Sequence, residues 1–416
     1  MAALKVAILG FGTVGSSVAR ILTESPVDGI VLTHIFNRNV ARKRVDWVPS
    51  SVIWTEDFES VLASDVDVMI ELAGGRQHAA EWVRGSLNAG KSVATANKQL
   101  IAYEGVELSK LADEHNAHLL YGAAVAGGIP VIPGILQGLA GDRIERIEGI
   151  LNGTCNFILS RMEKGEEYAP VLAEAQKLGY AEANPTEDVD GLDARAKLTI
   201  LMRLAMRSQV APDQIEARTI RTVSAVDFSY ARDLNCTIRQ IARAERTNGN
   251  LAATVGPMLV PHNSPLAWSR GTENMVIATG HYGGNVVFSG HGAGGHPTAV
   301  AVVSDLVSIS QESRQVGLPS TKAEITAELE APHYIRFLVR DRPGIVAHIA
   351  QSLAKEGINL NAILQKPGYP AERLPFVVTV EPSHRSALKR ALAEISKQDF
   401  LLEPPLDLQI LVDSKN

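Results

Sequence analysis

The stretch Val6-Ala7-Ile8-Leu9-Gly10-Phe11-Gly12-Thr13-Val14-Gly15 decides how this chain begins to fold. Its first four residues are all apolar, which is typical of a parallel strand buried on both faces. The next six have the G-x-G-x-x-G spacing of a dinucleotide-binding turn, whose glycines let the backbone approach a pyrophosphate at a helix N-terminus. A helical pattern and a second apolar strand, Ile30–Phe36, follow. This order predicts an α/β chain that opens with a Rossmann-type nucleotide-binding domain, rather than a glycine-rich turn without a ligand.

Length, charge and cysteine content limit the class of protein. At 416 residues the chain is long enough for two or three domains. A net charge of −6 without a basic cluster argues against a nucleic-acid partner, and no apolar run is long enough to span a membrane. The first residues lack a signal-peptide pattern, and the two cysteines, Cys155 and Cys236, are far apart and in no metal-ligand spacing. We therefore expect a reduced, cytoplasmic protein.

The end of the second strand indicates which dinucleotide is bound. NAD enzymes place an acidic residue there to bind the ribose 2′-hydroxyl, whereas this chain has Asn37 followed by Arg38. Arg38 is placed to pair with a 2′-phosphate, with Lys43 or Arg42 in support. The alternative is a solvated basic start of a helix. The sequence thus favours NADP over NAD.

Lys98 lies in a loop of the kind where doubly wound sheets collect ligands. The predicted strands at residues 66–72 and 92–94 end in Ala73-Gly74-Gly75 and Thr95-Ala96-Asn97-Lys98. Because ligands bind at the carboxyl ends of such strands, we expect Lys98 to face the nicotinamide. A carbonyl that receives a hydride becomes an alkoxide, which a positioned cationic acid stabilises. A solvated surface lysine is the alternative.

The segment Asp188-Val189-Asp190-Gly191-Leu192-Asp193-Ala194-Arg195-Ala196-Lys197 is the richest in candidate catalytic groups. Asp193 and Lys197 are four residues apart, so they share one face of a helix whose apolar continuation predicts an interior position. A buried lysine beside carboxylates can serve as acid and base, and the carboxylates can bind a substrate ammonium group. The combination predicts an amino-acid alcohol or aldehyde as substrate. A surface salt bridge is the alternative.

A second set of candidate substrate contacts follows the predicted strand at residues 143–151. Asn152-Gly153-Thr154 places N–H groups and a hydroxyl at a helix N-terminus, which suits a substrate carboxylate, although an ordinary helix cap has the same pattern. Cys155 could form a thiohemiacetal with an aldehyde. No basic or histidine partner lies near it in sequence, so a buried thiol is the favoured interpretation.

At these motifs the chain resembles homoserine dehydrogenase, the enzyme that interconverts L-homoserine and L-aspartate 4-semialdehyde in threonine, methionine and isoleucine biosynthesis. The resemblance runs in order through residues 10–15, 95–98, 123–130, 151–157, 179–182, 188–198, 292–295 and 297–298. It implies that Lys197 is the acid and base and that Lys98 supports it. The residues expected to contact the substrate are Glu182, Asp188, Asp193, Gly153, Thr154 and Tyr180. Those expected to bind the dinucleotide are Gly10, Phe11, Gly12, Thr13, Val14, Gly15, Arg38, Lys43, Ala73, Gly74, Thr95, Lys98 and Gly294.

The resemblance also implies a monovalent cation, usually sodium. Its ligands are expected to be the backbone carbonyls of Gly122, Val125, Gly127 and Ile129, before a predicted helix at residues 131–139. The family usually has glutamate where this chain has Gly122. The carbonyl ligand survives that change, but side-chain support from this position is lost.

The predicted domains are three. They are a nucleotide-binding domain (residues 1–130, with residues 297–318 returning to it), an α+β substrate and oligomerisation domain (131–296), and an ACT-like βαββαβ domain (333–412) after a linker. The middle sheet is expected to form a homo-oligomer, a dimer or tetramer. An ACT domain senses small molecules, whereas a plain dimerisation domain is the alternative. The expected effector is L-threonine, a product of the implied pathway, and its expected contacts are Gly344, Ile345, Asn359 and Asn361.

Two rival functions remain open at this point. An aspartate dehydrogenase would oxidise an amine and release ammonia, so substrate profiling separates it from an alcohol dehydrogenase. A catalytically inactive NADP-binding sensor would need neither lysine. The presence of Lys98, Lys197 and Glu182 together counts against the sensor.

Overall fold

A computed structural model of the chain describes residues 3–247, 249–312 and 320–412. The chain divides into two compact units. Unit 1 consists of Met1–Leu151, Asp193–Gln214 and Thr272–Glu324, and unit 2 of Asn152–Leu192, Ile215–Gly271 and Ile325–Asn416. The residues expected to form the middle domain, 131–296, are therefore shared between the two units.

Strands and helices are numbered along the described part of the chain. The strands are β1 (Leu4–Leu9), β2 (Ile30–Phe36), β3 (Ile53–Thr55), β4 (Val68–Glu71), β5 (Ser92–Thr95), β6 (Leu119–Leu120), β7 (Ile144–Ile150), β8 (Ser208–Gln209), β9 (Glu216–Ala217), β10 (Cys236–Thr247), β11 (Asn250–Pro261), β12 (Glu273–Gly280), β13 (Gly284–His291), β14 (Thr321–Lys322), β15 (Ala331–Val339), β16 (Leu360–Gln365), β17 (Leu374–Ser383) and β18 (Leu406–Ile410). The helices are α1 (Thr13–Glu24), α2 (Val40–Lys43), α3 (Phe58–Leu62), α4 (Gln77–Asn88), α5 (Lys98–Glu114), α6 (Val131–Pro133), α7 (Gly153–Met162), α8 (Tyr168–Lys177), α9 (Thr186–Val189), α10 (Leu192–Ala205), α11 (Ala225–Asp233), α12 (Gly295–Ser310), α13 (Ile345–Lys355) and α14 (Arg385–Ile395). None of these helices is long and apolar enough to cross a membrane.

Unit 1 contains the parallel sheet that the opening sequence predicts. Six strands pair in the order β3-β2-β1-β4-β5-β6, and every pair is parallel. The strand order reverses between β1 and β4, so the carboxyl ends of these strands flank a crevice at a topological switch point. The glycine turn after Leu9, the loop after Glu71 and the loop after Thr95 all begin at this edge of the sheet.

The apolar run of β1 is continuous because it serves two cores. Val6 and Ile8 pack in one core with α1 and α12, whereas Ala7 and Leu9 pack in a second core with α4 and α5. Alternate side chains of a strand point to opposite faces, so helices on both sides of the sheet require apolar residues at every position.

The helix that carries Lys197 packs against the helix that begins at Lys98, within unit 1. The Arg203 guanidinium of α10 donates a hydrogen bond to the Ile101 carbonyl of α5 at 3.0 Å. A Cβ atom on Gly105 would lie 2.7 Å from the same guanidinium, so glycine permits this close approach. The docking of α10 on α5 therefore brings the two candidate catalytic lysines into one unit.

The prediction of a regular helix at residues 131–139 is wrong in its second half. Only the three residues of α6 are α-helical, and a π-helical turn, Gly134–Gly138, continues from them. Both glycines have low helix propensity, and Pro133 has no N–H group to donate. A Cβ atom on Gly134 would also overlap the ring of Phe288 on β13, so a bulkier residue is excluded.

Unit 2 contains the C-terminal βαββαβ module in the predicted order, β15-α13-β16-β17-α14-β18. Its strands pair antiparallel in the order β18-β15-β17-β16. The module does not stand apart from the rest of unit 2, because β18 pairs in parallel with β11 of the β10–β11 hairpin. The C-terminal module and the β10–β11 hairpin therefore share one continuous sheet within unit 2.

A buried charge cluster lies where β18 meets its neighbours in unit 2. Asp407 on β18 accepts hydrogen bonds from His333 Nδ1 at 2.6 Å and from Arg385 Nε at 3.1 Å. Burial acts to raise the pKa of Asp407, but the His333 hydrogen bond and the charges of His333, Arg218 and Arg385 outweigh it and lower the pKa to about 2. The cluster thus depends on an ionised Asp407.

Candidate active site

The glycine turn after β1 has the geometry of a pyrophosphate cradle. Gly10 has a φ of +104°, and a Cβ atom there would lie 2.7 Å from the Cα of Ala73. A Cβ atom on Gly15 would overlap the carbonyl oxygen of Gly10. Gly12, by contrast, is the N-cap of α1 and has no atom within 4 Å of its would-be Cβ. The turn is tight on its protein side and open at the helix N-terminus, which fits a dinucleotide.

The end of β2 uses an amide where NAD enzymes use a carboxylate. Asn37 Oδ1 accepts a hydrogen bond from the Phe11 N–H at 3.2 Å, so it holds the glycine turn. Asn39 caps α2 by accepting from the Arg42 N–H at 3.1 Å. Arg38 and Lys43 are exposed on either side of this cap. The two exposed cations after β2 fit a 2′-phosphate, and the Glu56 carboxylate accepts a hydrogen bond from the Val40 N–H at 2.7 Å.

Asp193 joins the two candidate catalytic lysines. Lys197 Nζ lies 2.7 Å from Asp193 Oδ2, and Lys98 Nζ lies 3.2 Å from Asp193 Oδ1. The side chain of Asp193 is 6% exposed, that of Lys197 12% and that of Lys98 40%. Because α10 is interior, as its apolar pattern predicts, this is not a surface salt bridge. One buried carboxylate therefore pairs with two ammonium groups, of which that of Lys197 is largely buried and that of Lys98 is partly exposed.

Lys197 is also fixed from its other side. Its ammonium group donates to the Leu151 carbonyl at 2.7 Å as well as to Asp193. An ammonium group has three N–H donors, so among the described contacts one donor remains for a substrate oxygen. The partly exposed Lys98 is held by a capped helix start, since Asn97 Oδ1 accepts from the Leu100 N–H at 3.1 Å. The arrangement can protonate an alkoxide, or deprotonate a hydroxyl group, that is held in a fixed position beside Lys197.

In unit 2, the structure brings together most of the expected substrate contacts. Asn152 Nδ2 donates to Asp188 Oδ1 at 2.7 Å, and Asn152 Oδ1 caps α7 by accepting from the Cys155 N–H at 2.8 Å. The Thr154 hydroxyl donates to the Tyr180 carbonyl. Gly153 is the first residue of α7. Backbone donors at this helix start and the Asp188 carboxylate thus lie in one neighbourhood, which suits an amino acid with both charges.

Two of the expected substrate residues, Tyr180 and Glu182, are exposed to solvent, whereas Cys155 is buried. Tyr180 is 45% exposed, and Glu182 is exposed in the loop after α8. Among the described residues, the Glu182 carboxylate has no hydrogen-bond or ion-pair partner. Cys155 is fully buried, and its thiol donates to the Asp188 carbonyl at 3.1 Å. The prediction of a buried thiol is therefore confirmed.

The loop expected to bind a cation has an unusual backbone and a buried carboxylate. Ala126 and Gly127 have consecutive positive φ values, 57° and 49°, and both are buried. The Gly122 N–H donates to Asp305 Oδ2 of α12 at 2.9 Å, and a Cβ atom on Gly122 would lie 2.8 Å from Asp305 Oδ1. Burial raises the pKa of Asp305 to about 7. Glycine at position 122 thus makes room for a carboxylate supplied from α12, and backbone carbonyls with one carboxylate fit a hard cation.

Among the buried acids of unit 1 that sequence reasoning missed are Asp305 and Glu71. Each is the only charged residue in an apolar element, α12 for Asp305 and β4 for Glu71. That isolation was the available signal, because a buried carboxylate is costly unless it has donors or a ligand. Among the described residues, no group of three or more His, Cys, Asp or Glu side chains is arranged to hold a metal ion.

The expected effector residues lie at two places in the C-terminal module. Gly344 has a φ of 92° and is the N-cap of α13, and Ile345 is the first residue of that helix. Asn359 Nδ2 donates to Glu381 Oε2 at 3.2 Å, and Asn361 is exposed on β16. The N-cap glycine leaves backbone N–H groups open to a carboxylate.

Comparison with known proteins places the chain in a family. Residues 10–122 match the homoserine dehydrogenase NAD-binding domain, residues 130–307 match homoserine dehydrogenase, and residues 333–397 match the ACT domain. The homoserine dehydrogenase of Synechocystis sp. is 36% identical over 98% of this chain and 99% of that protein.

Solved structures agree with the sequence matches. A homoserine dehydrogenase from Thiobacillus denitrificans superposes with a TM-score of 0.89 at 31% identity, covering 98% of each chain. A hyperthermophilic archaeal homoserine dehydrogenase in complex with NADPH gives a TM-score of 0.63 at 28% identity, over 74% of this chain and 98% of that chain. The predicted fold class, with a Rossmann-type sheet, an α+β domain and an ACT domain, is confirmed by these matches. The chain belongs to the homoserine dehydrogenase family, whose members are oxidoreductases that act on a CH–OH group.

Proposed function

We propose that the protein catalyses the reversible, NADP-preferring reduction of L-aspartate 4-semialdehyde to L-homoserine, in threonine, methionine and isoleucine biosynthesis. The observation that carries this proposal is the Lys98–Asp193–Lys197 cluster, in which one carboxylate orders two ammonium groups. Reduction of an aldehyde creates an alkoxide, and a cationic acid held in place is what stabilises it.

Lys197 moves the proton in this proposal. In the reducing direction its remaining N–H donor protonates the alkoxide, and in the oxidising direction the neutral amine accepts the hydroxyl proton. Asp193 and the Leu151 carbonyl each accept a hydrogen bond from Lys197 Nζ at 2.7 Å. The ammonium group is therefore already oriented when the substrate oxygen binds. Lys98 adds a second positive charge beside the same carboxylate. The bound nicotinamide supplies or accepts the hydride.

The substrate amino acid has a carboxylate, which needs hydrogen-bond donors, and an ammonium group, which needs an anion. The N-terminus of α7 at Gly153 and Thr154 offers N–H donors to the carboxylate, and Asp188 offers an anion to the ammonium group. Glu182, exposed and without a partner among the described residues, is a second anion for the ammonium group. Tyr180 precedes Glu182 in the same loop, and its backbone carbonyl accepts a hydrogen bond from the Thr154 hydroxyl.

NADP is the proposed cofactor because of the basic residues after β2. Arg38 and Lys43 are exposed there, and Asn37 replaces the acidic residue that would repel a 2′-phosphate. The glycine turn at residues 10–15, together with Ala73, Gly74, Thr95 and Gly294, would hold the rest of the dinucleotide. The NADPH bound by the archaeal relative supports this choice.

Three further features belong to the proposal. A monovalent cation, sodium, would be held by the carbonyls of the 122–129 loop, with Asp305 as the nearby carboxylate. L-Threonine would bind the ACT domain near Gly344, Ile345, Asn359 and Asn361. The protein would act as a homo-oligomer, a dimer or a tetramer.

The experiment that tests the function is substrate profiling with both cofactors. Oxidation of L-homoserine and of L-aspartate is followed as NADPH or NADH appears, and ammonia is measured in parallel. We expect activity with L-homoserine, a higher kcat/KM with NADP than with NAD, and no ammonia. Ammonia release from L-aspartate, without turnover of L-homoserine, would replace the proposal with an amine-oxidising dehydrogenase.

A further inference from the structure

Glu71, at the carboxyl end of β4, is a buried carboxylate that the proposed chemistry leaves unused. None of its surface is exposed. Its Oε1 accepts from the Ala73 N–H at 3.0 Å, and its Oε2 accepts from the Thr95 hydroxyl at 2.7 Å. The Gly74 N–H and the Asn97 side chain are further hydrogen-bond partners. One side chain is thus bonded to both of the loops that leave β4 and β5.

Asn97 extends this network to the helix that begins at Lys98. The Asn97 N–H donates to the Thr95 hydroxyl oxygen at 3.0 Å, and Asn97 Nδ2 donates to the Gly75 carbonyl at 2.6 Å. Asn97 Oδ1 also caps α5. The loop at residues 73–75 and the first turn of α5 are therefore tied together twice, directly by Asn97 and through the carboxylate of Glu71.

The sheet itself does not require this carboxylate. β4 and β5 pair in parallel along Val68–Glu71, and an apolar residue at the end of β4 would preserve that pairing. Burial raises the pKa of Glu71 against the effect of its donors, so the site carries a desolvation cost. Gly74 and Gly75, with φ values of 71° and 74°, have no atom within 4 Å of a would-be Cβ. A loop of this kind has little packing of its own and needs an anchor.

We propose that Glu71 is a positioning residue, which sets the cofactor-facing loop at residues 73–75 and the Lys98 end of α5 in a single arrangement. The inference rests on the roles proposed above for Lys98 and for this loop. It adds that one carboxylate, at the end of the strand next to β5, places both the cofactor-facing loop and the supporting lysine.

The test uses Glu71→Gln in the full-length enzyme. Glutamine keeps the shape but replaces one acceptor oxygen with an N–H₂ group, which faces the N–H donors that the carboxylate satisfied. We expect kcat to fall about 10- to 100-fold, as for a misplaced catalytic group, and the Kd for NADPH to rise about 3- to 10-fold in a fluorescence titration without turnover. Thr95→Val, which removes the hydroxyl that donates to Glu71 Oε2, should lower kcat and weaken NADPH binding in the same direction.

Two controls separate positioning from a general loss of structure. Glu104→Gln, on the partly exposed outer face of α5 where Glu104 pairs with Arg84 at 2.9 Å, should leave kcat and NADPH affinity within about twofold of wild type. Amide exchange at residues 96–100 of the cofactor-free enzyme should be faster in Glu71→Gln and unchanged in Glu104→Gln.

A double variant tests whether Glu71 affects turnover by positioning Lys98. If Glu71 acts through Lys98, the double variant Glu71→Gln/Lys98→Ala should have about the same kcat as Lys98→Ala alone. Multiplicative losses in the double variant, or unchanged NADPH affinity and amide exchange in Glu71→Gln, would overturn the inference. Wild-type turnover in Lys98→Ala would instead overturn the role proposed for Lys98, and the affinity and exchange measurements would still decide whether Glu71 anchors the loop.

Discussion

Replacing Asp193 with asparagine tests whether one carboxylate orders the two lysines. Asparagine has the same shape but one acceptor oxygen instead of two, and it carries no charge. At least one of the two contacts, 2.7 Å to Lys197 and 3.2 Å to Lys98, is therefore lost. A hydrogen bond between charged groups contributes about 1.5–3 kcal/mol. Since about 1.4 kcal/mol corresponds to a factor of ten, we expect kcat for L-homoserine oxidation to fall roughly 10- to 150-fold.

The matched control for this substitution lies beside the same helix. Asp213 accepts from Arg195 of α10 at 2.9 Å, but its side chain is 70% exposed, so its ion pair is weak. Asp213→Asn should change kcat by less than about twofold. Steady-state rates at saturating NADP and L-homoserine compare the two variants. Wild-type kcat in Asp193→Asn, or an equal loss in both variants, would show that the carboxylate does not organise the chemistry.

Three more predictions concern the cofactor, the charge cluster and the effector. Arg38→Ala should weaken NADP binding by about 1.5–3 kcal/mol in a binding titration and leave NAD binding nearly unchanged; equal losses would mean that Arg38 serves the fold. Asp407, with a folded pKa of about 2 against an ordinary 3.8, contributes about 2 kcal/mol of stability that is present above pH 3.8 and lost as the pH falls through 2. Amide exchange of β15 and β18 should therefore be faster in Asp407→Asn than in wild type at pH 7, and a difference that persists undiminished at the lowest accessible pH would contradict this. Millimolar L-threonine should inhibit the full-length enzyme, and a Gly344→Val variant should escape that inhibition; inhibition that survives the substitution would place the effector elsewhere.

Structural features that depend only on residues close together in the chain can be predicted from local sequence patterns. The first strand, turn and helix are predictable because apolar run, glycine spacing and helical period lie within one short segment. The Asp193–Lys197 pair is predictable because positions four apart in a helix share a face. The βαββαβ order of the ACT domain follows from alternating periodicities, and the family follows from motifs that recur in order along the chain.

Contacts between distant segments are not predictable in this way. Nothing in the spacing of Lys98 and Asp193 indicates that they meet, because the contact depends on how α10 docks on α5 through Arg203. The carboxylate of Asp305 likewise reaches Gly122 from a helix much later in the chain. The sequence shows only that position 122 is glycine, and the reason for the glycine, a carboxylate in the space of its Cβ, is a property of the packed structure.

The turnover of Lys197→Ala tests the central claim most directly. The substitution removes the ammonium group that Asp193 and the Leu151 carbonyl hold in place, without touching the glycine turn or the basic residues after β2. If Lys197 is the acid and base, kcat for L-homoserine oxidation should fall about 10²- to 10⁴-fold while the Kd for NADPH changes little. A Lys197→Ala enzyme that binds NADPH and still oxidises L-homoserine at a rate near that of wild type would contradict the account.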